Sequence, residues 1–299
     1  MEDCERENMN KIWTPKDNTI NILEDEGNKY IEVKSGMGYP AIYPLHEVKI
    51  EKPIEAVLMD LDGTSVKSEE FWIWIIQSTI SKLMGNPKFE LENADIPHVS
   101  GHSVSEHLTY CINKYCPEKT VEEARQFYYE ITDYEMEEIL AGRGKEGAFT
   151  PADGLKDFLY ELKDKKIKIG LVTSGLYRKA MPEIISAFKT LGMGDPVDFY
   201  DCIITAGYPL GKGKVGTLGE LAPKPHPWLY AETMRVGLGI PFERRHHVLG
   251  IEDSSAGVVS ILLAGVAPIG LTDGNIYKAG IDPLCSHMVD KLENVLDLI

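Results

Sequence analysis

The 299-residue sequence predicts an α/β fold, a doubly wound parallel sheet carrying an inserted all-helical segment. Three observations predict it. From about residue 54, short apolar runs alternate with helical patterns, the signature of a sheet covered by helices on both faces. Several runs end abruptly in polar residues, and the carboxyl ends of such strands are where open α/β sheets bind ligands. Between residue 68 and about 148 the alternation stops and only helical periodicity is present.

Residues 1–52 form a polar opening segment. It has β-like runs at 19–23 and 29–33 and a turn-like cluster at 24–28, expected as a small β-hairpin laid on the main domain. The run Ile54-Glu55-Ala56-Val57-Leu58-Met59 suits a buried strand and breaks off into Asp60-Leu61-Asp62-Gly63-Thr64. Residues 69–84 read as a hydrophobic helix containing Phe71, Trp72 and Trp74. Capping boxes at Ser103/Glu106 and Thr120/Glu123 open two more helices, and Gly142 and Gly144 stop the second. The chain leaves the core near Val66 and returns through 147–154, so the helical insert joins it by two linkers. Leu155, Phe158, Leu159 and Leu162 then form one helical face. Strands are expected at 166–172, 200–204, 248–251 and 266–271, with helices at 176–191, 226–238 and 254–264. The expected division is an N-terminal extension at 1–52, a core at 53–67 and 149–299, and a helical cap at 68–148.

Composition narrows the function classes. With 43% hydrophobic and 26% charged residues the chain has the make-up of a packed globular protein. A formal charge of -16 disfavours nucleic acid and anionic membranes as partners, and any phosphate site must be locally positive. The start of the chain lacks the pattern of a signal peptide, and no apolar run has the length of a membrane span. The five cysteines are scattered and odd in number, which fits free thiols in a reducing cytoplasm.

Four clusters at strand ends carry possible chemistry. Asp60 and Asp62 could share a crevice if Gly63 lets the chain turn sharply, one attacking phosphorus or binding metal and the other handling a proton. An acidic turn is the plain alternative. Thr173, Ser174 and Gly175 could offer a hydroxyl and backbone N–H groups to a phosphoryl oxygen, or simply cap a helix. Lys224, in Ala222-Pro223-Lys224-Pro225-His226-Pro227, could neutralise a phosphoryl group and a carboxylate together, or be a solvated lysine in a turn. His226 reads as structural. Glu252 and Asp253, added to Asp60, would make an all-oxygen site suited to Mg²⁺, or else cap the next helix from Ser254 onwards.

Taken in order, these segments resemble the four motifs of the haloacid dehalogenase superfamily. Val57-Leu58-Met59-Asp60-Leu61-Asp62-Gly63-Thr64 is similar to the first and Leu171-Val172-Thr173-Ser174-Gly175 to the second. Lys224-Pro225-His226-Pro227 is similar to the third, and Gly250-Ile251-Glu252-Asp253-Ser254-Ser255-Ala256-Gly257 to the fourth. The insert after the first motif resembles the helical cap of the subgroup that includes phosphoglycolate phosphatase and β-phosphoglucomutase. The resemblance implies a Rossmann-like core and a Mg²⁺-dependent phosphatase acting on a small phosphorylated metabolite. Asp60 would be nucleophile and metal ligand. Asp62 would be the acid and then the base, with its carbonyl on the metal. Thr173 and Lys224 would hold the phosphoryl group. Asp253 would ligate Mg²⁺, with Glu252 beside it, directly or through water. Gly63, Thr64, Ser174 and Gly175 would line the phosphate.

The resemblance leaves a phosphomutase as the main rival. Against it, Trp72 aligns with the linker histidine of β-phosphoglucomutases and Val104 with their cap arginine, although His102 or His107 could substitute. A non-catalytic binding protein on the same fold is a third reading. Candidate substrate contacts are Glu69, Trp72, His102, Ser103 and His107 in the cap, Arg178 and Lys179 after the second motif, and Lys212 and Lys214 in a long loop at 206–221. His246 and His247 precede a strand and are expected at the surface. The oligomeric state is left open, a monomer being compatible.

Overall fold

The computed structural model describes residues 9–34, 41–99, 104–145, 147–206 and 221–299. Its first four strands, β1 (Asn10–Trp13), β2 (Ile20–Asp25), β3 (Asn28–Val33) and β4 (Ala41–Pro44), pair antiparallel in chain order. β2 and β3 are the expected hairpin. Its two-residue turn, Glu26-Gly27, has positive φ at both positions (48° and 83°), as a turn matching the strand twist requires. The opening segment is larger than a hairpin because β1 and β4, four residues each, are too short to show a period. The sheet buries Ile20, Ile22, Ile31 and Val33 against Val258, Val259, Leu262 and Leu263 of the helix Ser255–Leu263. Each such apolar side chain contributes about 1.5–3 kcal/mol.

The core strand β5 (Ala56–Asp60) is buried along its whole length. Two-residue strands β6 (Val66–Lys67) and β7 (Thr150–Pro151) pair antiparallel and zip together the two linkers of the helical insert. Between them lie the helices Glu69–Met84, Val104–Tyr115 and Val121–Leu140, and a single turn Ile96–Val99. The Thr120 capping box forms, with Thr120 Oγ1 accepting from the Glu123 N–H and Glu123 Oε2 accepting from the Thr120 N–H. The box expected at Ser103 lies outside the described residues.

The remaining core strands are β8 (Lys168–Leu176), β9 (Cys202–Ala206), β10 (Val248–Glu252), β11 (Ala267–Leu271) and β12 (His287–Val289). With β5 they form a six-stranded parallel sheet in the order β12-β11-β10-β5-β8-β9. The chain builds outward from β5 through β8 to β9, then crosses back to β10 on the other side of β5. That reversal puts a crevice between the carboxyl ends of β5 and β10, where ligands bind in open α/β sheets. β12 carried no sequence signal: its three residues are only partly buried and lack an apolar run. The helix begun at Trp228 continues through a π-helical stretch, Thr233–Gly237. Among the described residues, no helix is long and apolar enough to cross a membrane. Cys111, Cys116, Cys202 and Cys285 are free thiols.

Candidate active site

The switch point collects acidic groups. Asp60 ends β5, and the register of β5 with β10 sets Ile251 opposite Met59, which brings Glu252 level with Asp60. After Asp60 the chain turns at once. Gly63 adopts φ +84°, its N–H donates to the Val66 carbonyl, and Ser65 and Val66 N–H groups donate to the Leu61 carbonyl. The positive φ favours glycine, and space demands it too: a Cβ on Gly63 would lie 2.2 Å from Asp253 Oδ2. The Asp60 backbone carbonyl accepts from Ser65 Oγ at 2.5 Å.

Lys224 reaches into this cluster from the loop after β9. Its side chain is 8% exposed, and its Nζ donates to Asp60 Oδ1 and to Glu252 Oε1. Its backbone N–H donates to Ser174 Oγ (3.1 Å), tying the loop to the end of β8, and the Lys224–Pro225 peptide is cis. Tyr230 Oη donates to Glu252 Oε1 (2.8 Å), and Ser254 donates to Glu252 Oε2 through Oγ (2.9 Å) and N–H (3.3 Å). Thr64 Oγ1 donates to Asp253 Oδ1 (3.3 Å). Carboxylate oxygens of Asp60, Glu252 and Asp253 all lie within 4.8 Å of one another.

The electrostatics follow from burial. Burial, then the charge of Glu252, drives the Asp60 carboxyl well above the usual range, and the Lys224 ammonium only partly offsets this. The same two causes push Asp253 up to about 7. Burial disfavours the Lys224 ammonium, but Asp60 and Glu252 outweigh it and raise the lysine. Three carboxylates against this ammonium leave an excess of negative charge in a dry site. Hard oxygen donors this close together fit a divalent cation such as Mg²⁺, which would relieve that excess.

The other expected residues fall into two groups. Thr173 is buried near the end of β8, its Oγ1 accepting from the Gly175 N–H (2.9 Å), so Thr173, Ser174 and Gly175 lie within the strand, at an irregularity in its pairing with β9, beside Lys224. Asp62 Oδ1 accepts from Ser68 Oγ (2.7 Å), the residue before the first cap helix. Arg178 reaches from the core to the cap. It is exposed, 3.4 Å from Asp133 and stacked on Tyr129 of the cap. Lys179, by contrast, lies with Nζ 3.6 Å from the Trp72 ring centroid. Glu69 is exposed on the first turn of its helix and His107 is buried. His247 Nδ1 lies 2.9 Å from the Glu51 carbonyl oxygen, at the amino end of β10 and so away from the crevice. His102, Ser103, Lys212 and Lys214 lie outside the described residues.

Sequence reasoning missed Tyr230, Ser65, Ser68 and Glu183. Glu183 is buried in the helix Tyr177–Thr190; burial, then the charge of Asp62, holds its carboxyl well above the usual range. A glutamate on the apolar face of an amphipathic helix was the available signal.

The family model described as haloacid dehalogenase-like hydrolase matches residues 57–205. Solved structures share the fold at low identity. A HAD hydrolase of family IA, variant 3, from Entamoeba histolytica is 19% identical with a TM-score of 0.59, over 82% of this chain and 99% of that one. A protein described as a predicted phosphoglycolate phosphatase from Haemophilus somnus is 19% identical with a TM-score of 0.61, over 82% and 97%. CbbY from Rhodobacter sphaeroides, solved in complex with phosphate, is 18% identical with a TM-score of 0.55, over 81% and 96%. The chain belongs to the haloacid dehalogenase superfamily of hydrolases.

Proposed function

We propose that the protein is a Mg²⁺-dependent phosphatase that hydrolyses a small phosphate monoester through a phosphoryl group carried on Asp60. One observation supports this above the rest: a buried carboxylate at a strand end, held by Lys224 and set within a three-carboxylate oxygen cluster. Asp60, Asp253 and the Asp62 carbonyl would hold Mg²⁺, which would supply neutralisation of the dianionic ester. Lys224 offsets the remaining phosphoryl charge from the opposite side, and Thr173 with the N–H groups after it holds a phosphoryl oxygen.

A carboxylate oxygen of Asp60 attacks phosphorus, and the bond from phosphorus to the ester oxygen breaks. Asp62 gives its proton to the departing alkoxide. Asp62, now a carboxylate, takes a proton from water as that water attacks phosphorus, and the bond to Asp60 breaks to release phosphate. Glu183, buried in the helix Tyr177–Thr190, sets a second carboxyl beside Asp62. The cap lies on the leaving-group side and would set substrate choice while excluding water. A small phosphorylated metabolite in the cytoplasm suits the acidic, thiol-bearing chain, and CbbY, also solved with xylulose-(1,5)bisphosphate, gives the chemical class to test first.

The experiment is a screen of phosphate esters with Mg²⁺, read as released phosphate, with acid-quenched enzyme assayed for a hydroxylamine-labile phosphoryl group. The expected result is Mg²⁺-dependent release by the native chain and none by Asp60→Asn. Conversion of sugar phosphates into isomers without phosphate release would establish a mutase instead. Equal release by both proteins would overturn the reading.

A further inference from the structure

The N-terminal sheet precedes the residues matched by the family, yet it grips both loops that bring charge to Asp60. At the third motif, Tyr43 Oη on β4 lies 2.7 Å from His226 Nδ1, with the two rings edge to face at 5.9 Å. His226 is buried, two residues from Lys224, and its carbonyl accepts from Ser260 Oγ (2.6 Å). The imidazole is thus fixed at its ring by the sheet and at its backbone by the helix Ser255–Leu263. At the fourth motif, Asp17 Oδ2 accepts from Ser255 Oγ (2.6 Å), two residues from Asp253. Asp17 is held in turn. Its Oδ1 accepts from the N–H and hydroxyl of Thr19, and its own N–H donates to the Ala279 carbonyl (3.2 Å). Asn275 completes the grip, accepting from the Ser255 N–H (2.7 Å) and donating its own N–H to the Asp253 carbonyl (2.9 Å).

The Asp17 contact is separate from the apolar packing that fastens the sheet, and the Tyr43 hydroxyl adds a polar contact to a ring that also packs there. Ile20, Ile31 and Val33 would hold it in place without Asp17 or Tyr43. The two polar contacts instead meet the chain next to Asp253 and Lys224, the groups that must stay fixed to within fractions of an ångström on either side of Asp60.

We infer that the N-terminal sheet is a working part of the active site, with Asp17 a positioning residue for the cation held by Asp253 and Tyr43 a positioning residue for Lys224 acting through His226. The inference rests on the phosphatase reading only for Tyr43. The Asp17 half is read by metal binding alone.

The test uses the full chain and two readouts. Mn²⁺, as a paramagnetic probe, is titrated and followed by electron paramagnetic resonance; turnover of the best ester from the screen is followed with saturating Mg²⁺. Asp17→Ala should weaken Mn²⁺ binding about tenfold, as loss of outer-shell partners does, and Asp17→Asn should restore most of it. Ser255→Ala removes the same bond from the other side, so it should give the same shift, and the double variant no more than either single one. Tyr43→Phe should lower kcat about tenfold with KM and Mn²⁺ affinity near native. If Asp17→Ala unfolds, Ser255→Ala decides. Native Mn²⁺ affinity in both Asp17→Ala and Ser255→Ala, or equal loss in Asp17→Ala and Asp17→Asn, overturns the Asp17 assignment. Native kcat in Tyr43→Phe overturns the other. Absence of ester turnover in the native chain overturns the phosphatase reading and leaves the Mn²⁺ result standing.

Discussion

Lys224 and Glu252 form a buried ion pair, Nζ to Oε1 at 2.5 Å, in which the carboxylate is already fully engaged. Oε1 also accepts from Tyr230 Oη, and Oε2 accepts twice from Ser254. A carboxylate offers about four acceptor positions, and these donors fill them. Glu252 therefore serves best as the holder of Lys224, with Asp253 the freer oxygen donor for a cation. Glu252→Gln should lower kcat about 10–100-fold while the Mg²⁺ concentration for half-maximal turnover moves by less than about threefold. Asp253→Asn should do the reverse. Titrating Mg²⁺ against both variants checks this, and a large rise in the Mg²⁺ requirement of Glu252→Gln would make Glu252 a direct ligand.

The acid range should report the cation. Burial and the charge of Glu252 push Asp253 up to about 7, against roughly 3.9 for an unfolded aspartate. A native value above the unfolded one means that the native state keeps a proton the unfolded chain has lost. Between about pH 4 and 7, metal-free protein therefore loses stability as pH rises. A divalent cation takes the proton's place only once the carboxylate is free. Saturating Mg²⁺ should raise Tm by about 5 °C at pH 8 and by little at pH 5, since ligand at 100 times Kd adds about 2.7 kcal/mol. Asp253→Asn should flatten that difference. Equal Mg²⁺ shifts at both pH values in the native chain would contradict the site.

The close approach of Glu252 to the next helix makes Gly257 a sensitive position. A Cβ there would sit 1.8 Å from Glu252 Cδ, so the carboxylate that Lys224, Tyr230 and Ser254 hold would have to move. Gly257→Ala should displace Glu252, lower kcat about 100-fold and cost about 1–3 kcal/mol of stability. Chemical denaturation with parallel assays checks both. A variant of native activity would mean that the Glu252 carboxylate can relocate without consequence for Lys224.

This contrast shows what the sequence could and could not express. Asp60, Lys224 and Asp253 were legible because each stands at the end of a buried apolar run or between prolines, where period and punctuation mark the spot. Tyr230 and Glu183 were not. Both lie inside helices, where at most a polar group on an apolar face marks them, and their partners, Glu252 and Asp62, come from a distant strand and a distant turn. Arg178 and Lys179 show the limit differently. The residues are adjacent, but the helix turn sends one to Asp133 and the other to Trp72. The opening segment declared its central hairpin through Glu26-Gly27, while β1 and β4 depend on that hairpin for pairing and left no period of their own.

The cap has its own polar centre, and its removal should be felt locally. Asp95 is fully buried below the helix Val104–Tyr115. Burial alone would raise its carboxyl, but donors from Lys114 (2.6 Å), Tyr115, Tyr110 (2.7 Å) and the Glu92 N–H (2.9 Å) hold it well below the usual range. Its native value lies under its unfolded one, so its contribution is present above about pH 4 and is lost as pH falls below that. Asp95→Asn keeps the size and removes the charge that four donors converge on. Lys114 is one-third exposed and can turn to water, so the cost should be about 2–3 kcal/mol and not the larger figure for a sealed ion pair. The loss should appear as faster amide exchange in Ile96–Val99 and Val104–Tyr115, while β5 and β10, central strands of the six-stranded sheet, exchange as before. Mg²⁺ affinity should stay native and KM for the ester should rise, because the cap and not the cation site is loosened. Uniformly faster exchange across β5 and β10 would show instead that cap and core unfold as one unit.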